Sequence, residues 1–279
     1  MRYENIKKGL KKKKVIISLV LIVFIFSVSL INSNNNLSKA SIQTNSGGAL
    51  SSKKIEWGIK RGDNHEQPDL GSKNRELIEK YNGMAMGNVD KKYIYVTFDL
   101  GYEAGYTEKI LDILKENNVP ATFFITAHYV NSASDIVQRM INDGHIIGNH
   151  TVNHKSMPGL SEEGLTKELK DLHTAIYEKF GFEMRYMRPP KGEYSEKSLS
   201  ITTKLGYIPV MWSFAYADWD EANQPSNQEG IDKIVNNVHN GEIMLLHATS
   251  KTNMEILDTV IKQIKEMGYQ FKSLDEFSK

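Results

Sequence analysis

Residues 93–101 read YIYVTFDLG, a run of β-branched and aromatic residues broken by one carboxylate, Asp99. Such a run reads as a strand buried on both faces, and a charged residue at its end marks where the chain leaves the core. Residues 107–117 follow with Ile110, Leu111 and Leu114 on one helical face and Thr107 as the expected N-cap. Residues 121–126 (ATFFIT) are the next strand. The alternation then continues to the C-terminus. Helices are expected at 134–143, 161–180, 195–205, 231–238 and 254–267. Strands are expected at 145–148, 185–188, 208–214, 243–246 and 269–271, with Pro189-Pro190 barring any helix after Arg188. Strands alternating with helices predict an α/β fold with a parallel sheet, either a (β/α) barrel or a doubly wound sheet. Both place reactive side chains just past the C-terminal ends of the strands.

Polar groups stand at those positions. Asp99 closes the first strand, His150 and His154 follow the 145–148 strand, and Arg188 follows 185–187. Asp218 and Trp219 follow 208–214, and His247 follows 243–246. Five such sites on one rim are more than packing requires. His150 and His154, spaced i, i+4, would share a face of a helical turn and could hold one metal ion through their imidazoles. Asp99 and His247 are a candidate base and acid, since a carboxylate can take a proton from water and a histidine can give one near neutral pH. Arg188 would hold Asp99 ionised, and Asp218 would fix the tautomer of His247. Trp219 offers a flat wall of the kind sugars stack against.

Outward from this core the composition changes. Of the first fourteen residues seven are Lys or Arg and one is Glu, and residues 15–31 are almost entirely apolar. This is the pattern of a signal peptide or signal anchor, about long enough to span a bilayer, with its basic flank cytoplasmic. The domain is therefore expected to be exported, either held at the outer face of the cytoplasmic membrane or secreted. Residues 32–52, rich in Asn, Ser and Gly, read as a flexible linker. Residues 53–90 read as an N-terminal extension packing on the barrel, and 91–279 as the catalytic domain. The chain has no cysteine, which excludes disulfides, thiolate nucleophiles and Cys-ligated zinc. Its net charge of +1 is concentrated in the basic tail, so no nucleic-acid partner is expected. Nothing in the sequence points beyond a monomer.

Thr97-Phe98-Asp99, His150-Thr151-Val152-Asn153-His154, Arg188-Pro189-Pro190, Asp218-Trp219 and Leu245-Leu246-His247 occur in the order found in the NodB-type polysaccharide deacetylases, carbohydrate esterase family 4, which the chain resembles. Gly101-Tyr102-Glu103, the flank Trp57-Gly58 and the C-terminal Tyr269–Leu274 segment resemble the spore-cortex subfamily, which de-N-acetylates muramic acid for δ-lactam formation. The resemblance implies a distorted (β/α) barrel with fewer than eight complete units. It implies Asp99 as general base, Arg188 as its tether, His247 as general acid and Asp218 as the partner of His247. It also implies Leu246 and Trp219 around the acetyl methyl, a backbone N–H near Lys191 for the oxyanion, and Tyr102 in the substrate groove. The implied substrate is the glycan strand of peptidoglycan. The family usually adds a carboxylate directly after the base to complete a site for a divalent cation, zinc or manganese. Here that position is Leu100, which has no lone pair to offer. Two alternatives stay open from sequence: a deacetylase of another N-acetylated polysaccharide, and a non-catalytic glycan-binding barrel.

Overall fold

The computed structural model describes residues 49–277. The basic flank, the apolar run at 15–31 and the linker up to residue 48 lie outside the described residues. Among the described residues no helix is long and apolar enough to cross a membrane.

The described chain runs through β1 (Ile55–Glu56), α1 (Ser72–Lys80), β2 (Tyr93–Leu100), α2 (Thr107–Glu116), β3 (Ala121–Ile125), α3 (Ala127–Ser132), α4 (Ser134–Asn142) and β4 (Ile146–Asn149). It continues through α5 (Glu162–Phe180), β5 (Tyr186–Met187), β6 (Glu193–Tyr194), α6 (Glu196–Lys204), β7 (Ile208–Pro209), α7 (Asn227–Val235), β8 (Glu242–His247), α8 (Lys251–Glu266) and β9 (Gln270–Phe271). The main sheet has the order β7-β5-β4-β3-β2-β8, with β9 also paired to β2, and all its pairings are parallel. β2 and its neighbours β3 and β8 are almost wholly buried, as expected for strands covered on both faces. Helix α5 starts at Ser161, whose side chain accepts from the Gly164 N–H, a cap worth about 1 kcal/mol.

The sheet forms a half-barrel, and residues 208–214 span its open side. The strand expected there is confined to Ile208–Pro209 beside β5. Val210 then bridges to Met84, and Phe214 bridges to Met244 of β8. Pro209 has no N–H for a ladder, and a segment that changes partners from one sheet edge to the other cannot remain one regular strand. Two smaller differences are local. Thr107 is the first residue of α2 rather than its cap, and Glu103 fills the capping role by accepting from the Gly105 and Thr107 N–H groups. The short helix α3 was not anticipated, although Thr126 caps it through the Tyr129 N–H.

The segment before β2 joins the same unit. β1 pairs antiparallel with β6, and Trp57 packs with Tyr194, Leu199 and Met211 in a separate apolar cluster.

Candidate active site

The parallel register places Asp99 of β2 directly beside His247 of β8. Residues paired in this way project to the same face, so a carboxylate and an imidazole are delivered side by side to the C-terminal rim. Both line a cavity of about 1120 Å³ together with His150, His154, Lys191 and Trp219. Tyr102 also lines it, and its side chain is 43% exposed.

Asp99 is nearly buried, and its Oδ1 accepts from Arg188 Nη1 at 2.8 Å. Arg188 is fully buried and spends its other donors on Thr97 Oγ1 (2.9 Å), the Val210 carbonyl (3.1 Å) and the Met211 carbonyl (3.2 Å). Its guanidinium lies 4.3 Å from the centroid of the Phe124 ring. Gly148 makes that stacking possible, because a Cβ there would stand 2.4 Å from the Phe124 ring. Burial pushes the Asp99 carboxyl up, but the Arg188 charge, with the neighbouring His150 and His247 rings, outweighs it and holds the group below its ordinary range. Asp99 is therefore an ionised acceptor with one oxygen tied and one turned toward His150.

His247 is organised from the other side. Its Nδ1 lies 2.7 Å from Asp218 Oδ1, and its backbone N–H donates to Asp218 Oδ2 at 2.7 Å. Nδ1 thus carries a proton for the carboxylate, and Nε2 is the nitrogen left for the cavity. Burial opposes the charged imidazole, yet the nearby Asp218 and Asp99 carboxylates raise its pKa above 6.5 overall. Asp218 is fully buried, and Asn253 of α8 donates both to its Oδ2 (2.5 Å) and to the His247 carbonyl (3.2 Å). The Tyr216 hydroxyl in turn donates to Asn253 Oδ1. Asn253 carried no sequence signal of its own, being one polar residue in the first turn of an amphipathic helix.

His150 and His154 meet without the helical turn expected for them. The chain after β4 is irregular, with positive φ at Thr151 (67°) and His154 (53°). The loop is held by Asn149 Oδ1 on the Thr151 N–H and by the buried Glu168, which accepts from the Asn153 backbone (2.8 Å) and side chain (2.7 Å). The two imidazoles end with ring centroids 4.8 Å apart. His150 Nδ1 lies 2.9 Å from the Arg188 carbonyl, which can only accept, so Nε2 is the free lone pair of the neutral ring. Burial lowers the pKa of His150 to about 4, and its Nε2 is 3.5 Å from Asp99 Oδ2. An imidazole fixed by its Nδ1–H is the form that binds metals.

Among the described residues no third donor joins them. Leu100 is fully buried in the main apolar core, on the opposite face of β2 from Asp99. Among the described residues no group of three or more His, Cys, Asp or Glu side chains is placed to hold a metal ion. The protein donors therefore do not fit the three-ligand site of catalytic zinc enzymes. Leu246 is also misplaced by the sequence reading. It lies in the core with Phe98, while Leu245, two residues before His247 and so on its face, lines the cavity. Trp219 stands on the rim, 60% exposed.

Lys191 adopts φ 58°, ψ 10°, a left-handed conformation uncommon for a side-chain-bearing residue. Gly192 continues it at φ 67°, where a Cβ would meet the Trp212 ring at 2.7 Å. Lys191 and Gly192 both line the cavity, and the Lys191 N–H has no partner among the described residues.

Residues 86–210 match the family described as Polysaccharide deacetylase. The chain is 42% identical over 229 residues to the peptidoglycan-N-acetylmuramic acid deacetylase PdaA of Bacillus subtilis, covering 82% of this chain and 87% of that protein. This chain belongs to the polysaccharide deacetylase family. A peptidoglycan-N-acetylglucosamine deacetylase of Bacillus cereus is 32% identical, with 71% of this chain and 72% of the relative covered. The solved structure of Bacillus subtilis PdaA, described as a family 4 carbohydrate esterase, superposes with a TM-score of 0.80 at 41% identity, covering 82% of this chain and 98% of that one. Family 4 deacetylases are in general metal-dependent hydrolases.

Proposed function

We propose that this protein hydrolyses the N-acetyl group of peptidoglycan amino sugars, with N-acetylmuramic acid as the acceptor sugar. The observation that carries the reading is the Asp99–His247 pair in register on β2 and β8, each with its own buried counter-charge. The similarity to PdaA supports the choice of sugar.

The roles follow from the geometry. Ionised Asp99 takes a proton from a water molecule as that water attacks the acetyl carbonyl. The Lys191 N–H faces the oxyanion that develops, where a fixed donor stabilises the transition state more than the ground state. Collapse breaks the C–N bond, and His247 gives its Nε2 proton to the departing amine, leaving acetate and a free amino sugar. Arg188 keeps Asp99 charged, and Asp218 holds the His247 imidazole charged, so that Nε2 has a proton to give. Trp219, Tyr102 and Leu245 form the apolar walls of the groove. No step is assigned to a metal ion, because the protein supplies His150 and His154 without a third ligand.

The apolar run at 15–31 behind its lysines supports export, with the domain at the outer face of the cytoplasmic membrane or released from it. The resemblance to the spore-cortex subfamily supports the cortex compartment as its place of action.

The test is acetate release from purified glycan strands by the full chain, with and without stem peptides, in the presence of chelator, zinc or manganese. Release by the wild type that Asp99→Asn abolishes is the expected result. Release only from N-acetylglucosamine polymers would move the acceptor sugar. No release from any strand under any metal condition would overturn the reading in favour of a glycan-binding barrel.

A further inference from the structure

The turn that carries the Lys191 N–H is held by a distant part of the chain. Within the turn the Gly192 N–H donates to the Pro189 carbonyl at 3.0 Å, and Lys191 and Gly192 both sit at positive φ. A left-handed residue that bears a side chain persists only where its surroundings enforce that conformation. Here much of the enforcement comes from Trp57, in the extension ahead of residues 86–210 that match the family. Its backbone N–H donates to the Gly192 carbonyl at 2.9 Å, and its indole Nε1–H donates to the Trp212 carbonyl at 2.9 Å.

One residue therefore ties together two walls of the catalytic cavity, since Gly192 and Trp212 both line it. The fit around the turn is close. A Cβ on Gly192 would stand 2.7 Å from the Trp212 ring and 3.1 Å from the Trp57 Cβ. β1 extends the grip, with Ile55 and Glu56 paired to Tyr194 and Glu193, just past the turn. Trp57 itself is nearly buried and does not line the cavity, so it acts on the site through other groups. Packing accounts for its ring among Tyr194, Leu199 and Met211. Packing does not require that both of its N–H groups end on cavity-lining residues.

We infer that Trp57 is a positioning residue for the hydrolysis: by bridging the Gly192 and Trp212 carbonyls it holds the Lys191 N–H where the oxyanion develops. A backbone donor stabilises a transition state in proportion to how firmly it is fixed before the charge appears. A displacement of about 1 Å can cost roughly 10²-fold in rate. The inference rests on the deacetylase reading, and it gives the N-terminal extension a part in the chemistry.

The test is Trp57→Phe in the full chain, which keeps a ring in the apolar cluster and removes the indole N–H. Wild type and variant are compared at a temperature where both are folded. With peptide-free glycan strands, kcat for acetate release should fall roughly tenfold and KM should not change, because the lost interaction belongs to the transition state. Amide hydrogen exchange, followed by mass spectrometry, should quicken across residues 191–194 and stay as it was in β2 and β8. An unchanged kcat or a changed KM overturns the assignment. Faster exchange throughout the sheet overturns it too, by making Trp57 a packing residue and nothing more. If the wild type releases no acetate, the functional reading falls separately. The exchange comparison then decides whether Trp57 holds the turn: acceleration confined to residues 191–194 supports the brace, and equal exchange overturns it.

Discussion

The two ends of β8 carry similar side chains and do opposite things. At its start, Glu242 accepts the His239 N–H at 3.0 Å, and His239 Nε2 lies 2.9 Å from Ser213 Oγ. Serine, histidine and glutamate stand in line there as they do in a nucleophilic triad. Yet Ser213, His239 and Glu242 are at most 2% exposed, and none lines the catalytic cavity. Burial lowers the His239 pKa and raises that of Glu242 well above 4.5, disfavouring the charged form of both. At the other end of the strand His247 opens onto the cavity, its side chain 23% exposed, and Asp218 holds it charged. Access and charge separate a site from a core contact, and residue types alone do not.

The largest effect should come from the open end. Asp99→Asn keeps the shape of the side chain and removes its ability to take a proton. Acetate release is expected to fall by roughly 10²–10⁴-fold, the usual range for a positioned base. Binding of glycan, measured by calorimetry, should persist. Retained turnover would return Asp99 to a structural role beside Arg188.

Leu100→Asp tests whether the family's missing carboxylate can simply be restored. Leu100 lies among apolar core residues, so the new group would be an unpaired buried carboxyl. It should destabilise the fold by about 3–5 kcal/mol, read as a lowered denaturant midpoint, without a gain in zinc affinity. Tighter zinc binding with stability kept would show that β2 can turn its end toward the histidines.

What the sequence made legible follows the same division. Asp99, Arg188 and His247 stood out because parallel strands end in chemistry at one rim, and that rule needs only the strand pattern, whereas Asp218 was placed by a 208–214 strand that is confined to Ile208–Pro209. The period of two would also have put Leu245, not Leu246, on the face of His247, a signal present but read past. His150 and His154 converge by a different route, through left-handed Thr151 and His154 and the brace of Glu168, which no periodicity encodes. The crossing of residues 208–214 between sheet edges was hidden for a similar reason, since its partners lie far away in sequence. Asn253 acts through Asp218 and the His247 carbonyl rather than in the cavity, and so carries no mark in the chain.

A smaller effect is expected at the counter-ion. Catalysis needs Asp99 ionised and His247 protonated, so the rate should fall on the acid side as pH drops through the lowered Asp99 pKa. It should fall on the alkaline side as pH rises through the raised His247 pKa, above 6.5. Asp218→Asn removes the charge that raises His247, so its alkaline limb should move to lower pH. The rate at neutral pH should drop by roughly tenfold. A profile of unchanged shape would mean that His247 is not the group that titrates.

The smallest effect belongs to the closed end, and it has a sign. Glu242 has a folded pKa above its unfolded value, so the stability linked to it is full below about 4.5 and is lost as pH rises toward the folded pKa. The physical cause is that the unfolded chain can ionise Glu242 in water while burial in the folded chain opposes its charge. Glu242→Gln is neutral in both states and nearly the same shape. It should therefore unfold at a higher temperature than the wild type at pH 7, with the gap closing toward pH 4, and acetate release should not change. If the substitution instead abolished turnover at unchanged stability, the line of Ser213, His239 and Glu242 would be feeding the chemistry through β8, and the contrast between the two ends of the strand would collapse.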